Sequence, residues 1–197
     1  MNGRNDEVAR ADITADAFHQ LLELAIEGRG RLAGAKKAAQ QHLRQRRDPE
    51  IAIRRLANQH IALASGQGFA TNWGGFLVSL VTVPANLAAA AFVQARAVSG
   101  IAHLRGYELS DPRVRTAILM VMLGPRSSAA LIAAGDLPSS AAAVATAPAF
   151  DPQIDARVTR ALRDQAMNYV GGKRLGVFLA KKVPFLGGGV GAVVDGW

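Results

Sequence analysis

Three side chains near the middle of the chain have the chemistry of a binding site. Arg96 follows a stretch of apolar residues, His103 lies two helical turns later, and Tyr107 follows shortly after. A guanidinium binds phosphate or carboxylate groups, whereas imidazole and phenol groups donate hydrogen bonds or transfer protons. The sequence therefore predicts one of two roles for Arg96. It contacts a ligand or a lipid phosphate, or it forms a structural ion pair with a carboxylate such as Asp155 or Asp164.

The other residues that could do chemistry form no known catalytic or metal-binding motif. No histidine lies three or four residues from another, and the chain has no cysteine, no G-x-S-x-G string and no Walker loop. The glycines from Gly187 to Gly191 follow a proline, so small-residue helix packing explains them better than phosphate binding does. We therefore expect no catalytic residues, no metal and no cofactor, and a protein that is not an enzyme. The histidines are His19, His42, His60 and His103.

Composition limits the class of protein. The chain has 197 residues, half of them hydrophobic, and a net charge of +8. Its mean hydropathy is +0.13. These values exclude a disordered chain and favour one domain with a single core. The absence of cysteine excludes a disulfide framework and an iron–sulfur cluster.

Positive charge is concentrated between Arg29 and Arg55, where nine lysines and arginines face two acidic residues, Asp48 and Glu50. Such a segment is a solvated helix face or a contact for membrane phosphates. Nucleic acid is not expected as a partner, because no aromatic residues are interleaved for base stacking. The partner predicted from charge is an anionic membrane surface or a membrane protein.

A segment without charged residues follows directly, from Leu56 to Ala95. Residues 74–93 reach the length of a membrane span, but Pro84 breaks them into two shorter elements. Three interpretations remain open: a buried core, an interfacial hairpin, or a true span. Trp73 is an interfacial anchor in the second interpretation and a core residue in the first. No apolar run follows a basic start at the N-terminus, so we expect no secretory signal.

Proline, glycine and aspartate divide the chain into helices. Asp-Pro pairs at 48, 111 and 151 predict helix starts, and Gly106 is placed for a left-handed helix C-cap. Helices are expected over 12–27, 31–47 and 84–105, with a loose connector over 136–148. The prediction is an all-α, single-domain multi-helix bundle over 1–197. It has basic N-terminal helices over 1–47, a core over 48–197, a long central apolar helix, and a glycine-rich C-terminal helical segment.

Several short motifs follow one another over roughly residues 50–196. They are Gly74-Gly75, Val83-Pro84-Ala85-Asn86-Leu87, Gln94-Ala95-Arg96, Ile101-Ala102, Gly106-Tyr107-Glu108-Leu109, Asp111-Pro112 and Lys181-Lys182-Val183-Pro184-Phe185-Leu186-Gly187-Gly188. Any one of these motifs is generic, whereas their order and spacing are more specific, and together they resemble the EcsC family. Family members tend to continue past the last motif, so we expect a truncation after Trp197.

This resemblance implies a bacterial helical protein without agreed catalytic residues. The gene of the founding member lies beside an ABC exporter, which implies an accessory role near a membrane. We therefore expect a non-enzymatic accessory or regulatory protein in the cytoplasm, peripheral at the inner face of the membrane and linked to ABC-type export. One alternative is a small-ligand-binding protein or enzyme with its site around Arg96, His103 and Tyr107. The other is a soluble structural interaction module.

Overall fold

Helices make up most of the described chain. The computed structural model describes residues 17–29, 32–64 and 85–171, and within these ranges it has eight helices. The all-α prediction is confirmed. The helices are α1 (residues 17–27), α2 (Ala35–Arg46), α3 (Pro49–Ala64), α4 (Ala85–Leu104), α5 (Pro112–Leu123), α6 (Pro125–Ala133), α7 (Ala141–Ala145) and α8 (Pro152–Gly171).

The three Asp-Pro pairs start helices as predicted. In each, a carboxylate oxygen of the aspartate accepts a hydrogen bond of 2.8 Å from the backbone N–H two residues later, and proline is the first residue of the helix. An unpaired N–H at a helix start is satisfied in this way, and proline has no N–H to satisfy. Asp48, Asp111 and Asp151 thus fix the starts of α3, α5 and α8.

The end of α4 is also set by local sequence. Gly106 has a φ of +87°, and its N–H bonds to the carbonyl of His103 at 3.0 Å. The N–H of Tyr107 bonds to the carbonyl of Ala102 at 3.0 Å. These two bonds form the Schellman motif that a glycine after a helix permits, so the predicted C-cap is confirmed.

The start of α2 differs from the prediction of a helix over 31–47. Two short strands, β1 (Gly28–Arg29) and β2 (Leu32–Ala33), pair antiparallel and join α1 to α2. The helix begins only after Gly34, where an added Cβ would lie 2.2 Å from the carbonyl oxygen of Ile26. This close approach of two backbone segments requires glycine.

The predicted loose connector over 136–148 contains a short helix, so that prediction is wrong in part. The hydroxyl of Ser140 accepts a hydrogen bond from the N–H of Ala143 at 3.1 Å and caps α7. The alanine run that follows has high helix propensity. Val144 and Ala145 of this helix are buried against α5.

The long central helix α4 separates two groups of packed side chains. It contacts α2 and α3 on one side and α5 on the other, and its 20 residues span about 30 Å. From Phe92 to Ala102 every residue except Gln94 is buried. A smaller cluster on the α2–α3 side comprises Ala38, Ala39, Ile53, Leu56 and Ile101. The main cluster joins α1, α4, α5, α7 and α8.

Within the described ranges, no single helix combines the length and hydropathy needed to cross a bilayer; α5 and α6 reach them only as a pair bent by 109°. Half of the charge-free segment, residues 65–84, lies outside the described residues, as does the predicted glycine-rich C-terminal segment around Gly191.

Candidate functional site

Arg96 is buried on the side of α4 that faces α2 and α3. Its side chain is 7% exposed, and its Nε donates a hydrogen bond of 2.9 Å to the carbonyl oxygen of Ala33 in β2. Its Nη1 lies 3.4 Å from Nε2 of His60, which is on α3 and fully buried. Arg96, on α4, thus connects this helix to α3 and to the β1–β2 hairpin between α1 and α2.

His60 is neutral in this arrangement. Its Nδ1–H donates to the carbonyl oxygen of Leu56 at 2.7 Å, so Nε2 is the unprotonated nitrogen that accepts from Arg96. The pKa of His60 is lowered to about 4. Burial is the largest cause, and the positive charge of Arg96 acts in the same direction, whereas the bond to Leu56 raises the pKa. Burial also lowers the pKa of Arg96.

The ion pair predicted for Arg96 is wrong. Asp155 accepts hydrogen bonds from Thr116 at 2.6 Å and pairs with His19 at 3.2 Å, whereas Asp164 pairs with its neighbour Arg163. No carboxylate among residues 17–29, 32–64 and 85–171 pairs with Arg96. A backbone carbonyl and a neutral imidazole satisfy the guanidinium in place of a negative charge.

Arg96, His103 and Tyr107 do not line a common cavity. His103 is seven residues from Arg96 and points toward α2, where its Nε2 lies 3.4 Å from Nε2 of Gln40. Tyr107 instead packs against the main hydrophobic cluster. A small cavity lies elsewhere in the described ranges, among α5, α7 and α8. It measures about 90 Å³ and is lined mainly by apolar atoms near Phe150.

A second polar cluster joins α1, α5 and α8 and was not predicted. Asp155 lies between His19 and Thr116, and the hydroxyl of Thr159 donates to the backbone carbonyl of Asp155 at 2.8 Å. The carboxylate is half-buried, which raises its pKa, but the bonds from His19 and Thr116 outweigh this and hold the pKa below its usual value. No local spacing could have revealed the cluster, since His19 and Thr159 are 140 residues apart.

The most distinctive feature of the described surface is a set of exposed cations on α2, on α3 and at Arg47 between them, which we call the basic face. On α2, Lys36, Lys37 and Arg44 lie within an arc of about 100° on the side away from the buried alanines. The set is Lys36, Lys37, Arg44, Arg47 and Arg54, all exposed.

Within the described part of the chain, no acidic side chain pairs with these cations. The two acidic residues of the segment have other roles: Asp48 caps α3, and Glu50 pairs with Arg105, directly after α4, at 2.5 Å. Among the described residues, the basic face therefore has a positive potential, which attracts anions.

Three signature residues of the family resemblance are described, and each has a local structural role. Gly106 ends α4, Asp111 caps α5, and Pro112 is the first residue of α5. The other signature residues and the candidate tryptophan lie outside the described residues: Trp73, Gly74, Gly75, Pro84, Pro184 and Gly187.

No family model, no curated protein and no solved structure matches the chain.

Proposed function

We propose that this protein is a non-enzymatic accessory protein that binds the anionic inner face of the cytoplasmic membrane through its basic face. The observation that carries the proposal is the set of five exposed cations of the basic face, which have no acidic partners among the described residues. Membership of the EcsC family and the link to ABC-type export are part of the proposal. They depend on the ordered motifs around Pro84, Gly106 and Asp111.

Electrostatics favours a lipid surface over the alternatives. Each lysine or arginine close to an anionic leaflet contributes about 1 kcal/mol to binding. Helices α2 and α3 contain no phenylalanine, tyrosine or tryptophan for stacking on bases, which argues against single-stranded nucleic acid. The alternative of a ligand site at Arg96, His103 and Tyr107 has less support, because Arg96 already bonds to Ala33 and His60.

Sedimentation with lipid vesicles tests the proposal. The protein should bind vesicles of phosphatidylcholine mixed with phosphatidylserine at low salt and dissociate as salt is added. Replacing Arg44→Gln and Arg47→Gln together should weaken partitioning about 30-fold, since two cations contribute about 2 kcal/mol.

The matched control replaces two exposed arginines outside the basic face, Arg126→Gln and Arg160→Gln, and has the same net charge. If both double variants bind equally, or if the parent does not bind the vesicles, the proposal is wrong. Binding to duplex DNA with the same dependence on Arg44 and Arg47, but not to vesicles, would identify nucleic acid as the partner.

A further inference from the structure

A polar group lies where α2 packs against the last turn of α4. The side-chain nitrogen of Gln40 lies 3.4 Å from Nε2 of His103, and Lys36 is one turn before Gln40 on α2. The positive charge of Lys36 acts on the ring of His103. His103 is partly buried and Lys36 is exposed, so the group lies at the edge of the basic face. Each of the three side chains can donate hydrogen bonds.

His103 bonds to Gln40 and lies near charges of both signs. The amide nitrogen of Gln40 is within hydrogen-bonding distance of Nε2 of His103 and donates to it when the ring is neutral. Burial lowers the pKa of His103, and the positive charge of Lys36 lowers it further, whereas the carboxylate of Glu108 acts in the opposite direction. An anion bound here would accept hydrogen bonds from the amide, the protonated ring and the ammonium group.

We infer that Lys36, Gln40 and His103 form a binding site for a phosphomonoester. A phosphomonoester has three terminal oxygens and close to two negative charges, which suits an ammonium, an amide and an imidazolium in one place. The source is the headgroup of a lipid such as phosphatidic acid, or a free phosphate. The inference rests on the proposed function, because Lys36 belongs to both the site and the basic face.

Titration with inorganic phosphate tests the site directly. Imidazole proton shifts are followed by NMR as a function of pH, with and without phosphate at constant ionic strength. Phosphate should raise the pKa of His103, because the bound anion favours the protonated ring. His42 is the control, since its ring bonds to Gln59 at 3.0 Å, away from the three residues of the site. No rise at His103, or an equal rise at both histidines, would overturn the inference.

Vesicle binding distinguishes the source of the phosphate. His103→Gln should weaken binding to vesicles of phosphatidylcholine and phosphatidic acid about tenfold, the loss expected for one charge-assisted hydrogen bond. It should leave binding to phosphatidylserine vesicles unchanged, and His42→Gln should change neither. Thermal melting checks that both variants remain folded.

The outcomes separate this inference from the proposed function. If all vesicles bind but His103→Gln has no effect and phosphate does not shift His103, the proposed function stands and the site is wrong. If phosphate shifts His103 alone and no vesicle binds, the site stands with free phosphate as its ligand, and the proposed function is wrong.

Discussion

The buried histidine His60 should make the stability of this protein strongly dependent on pH. In the unfolded chain its imidazole has the ordinary pKa of 6.5, and in the folded chain the pKa is about 4. Between these values the unfolded state binds more protons than the folded state, so the free energy of unfolding falls as the pH falls. The main physical cause is burial, because protonation would put a charge inside the packed interior, and the positive charge of Arg96 disfavours protonation further.

The size of the effect follows from the two pKa values. At about pH 5 His60 is almost fully protonated in the unfolded chain and almost fully neutral in the folded one. This difference lowers the free energy of unfolding by about 2 kcal/mol relative to pH 7.5. The loss approaches about 3 kcal/mol once the pH is below 4, because one pKa unit corresponds to about 1.4 kcal/mol.

Urea denaturation at about pH 7.5 and pH 5 measures this loss in the parent and in His60→Gln. Glutamine accepts from Arg96 and does not titrate, so the variant should lose about 2 kcal/mol less than the parent between the two pH values. His42→Gln serves as the control, because the side chain of His42 is only half-buried and contacts Gln59. Equal losses in the parent and His60→Gln would refute the reasoning.

Two further predictions concern contacts of the β1–β2 hairpin that joins α1 to α2. Arg96→Met should lower the free energy of unfolding by about 2 kcal/mol, because Ala33 and His60 lose their donor while the buried charge is also removed. A loss as large as the 3–5 kcal/mol typical of a broken buried ion pair would contradict this. Gly34→Ala should lower the free energy of unfolding, measured by urea denaturation, by about 1–3 kcal/mol or more, because the new Cβ would meet the backbone of Ile26 and Glu27. A variant as stable as the parent would contradict this and show that the backbone between α1 and α2 adjusts.

Local interactions explain which parts of the fold could be predicted. The caps of α3, α5 and α8 and the end of α4 each involve backbone groups within about five residues of one aspartate or glycine. Helix starts and ends of this kind can be predicted from residues that are neighbours in the sequence. The start of α2 was missed because Gly34 is required by contact with Ile26 across the hairpin, and no local pattern indicates that contact.

The partners of Arg96 show more clearly what the sequence could not predict. The sequence indicated that Arg96 is exceptional, since it follows an apolar helical stretch. A carboxylate or the phosphate of a ligand was the expected partner, because an arginine side chain suggests a partner of opposite charge. The fold instead supplies the carbonyl of Ala33, 63 residues away, and His60, 36 residues away. Because every residue has a backbone carbonyl, residue type does not indicate which carbonyl will accept from Arg96. The path of the folded backbone decides it.

The sequence by itself determined the all-α class, the helix starts at the Asp-Pro pairs, and the concentration of positive charge between Arg29 and Arg55. Only the tertiary structure decided which of these cations are exposed and, within the described ranges, without acidic partners, since Glu50 pairs with Arg105, directly after α4. It also placed His103 beside Gln40 and separated both from Tyr107. Helix formation depends on neighbours along the chain, whereas the partners of a charge depend on how helices pack, and packing brings together residues that no spacing in the sequence connects.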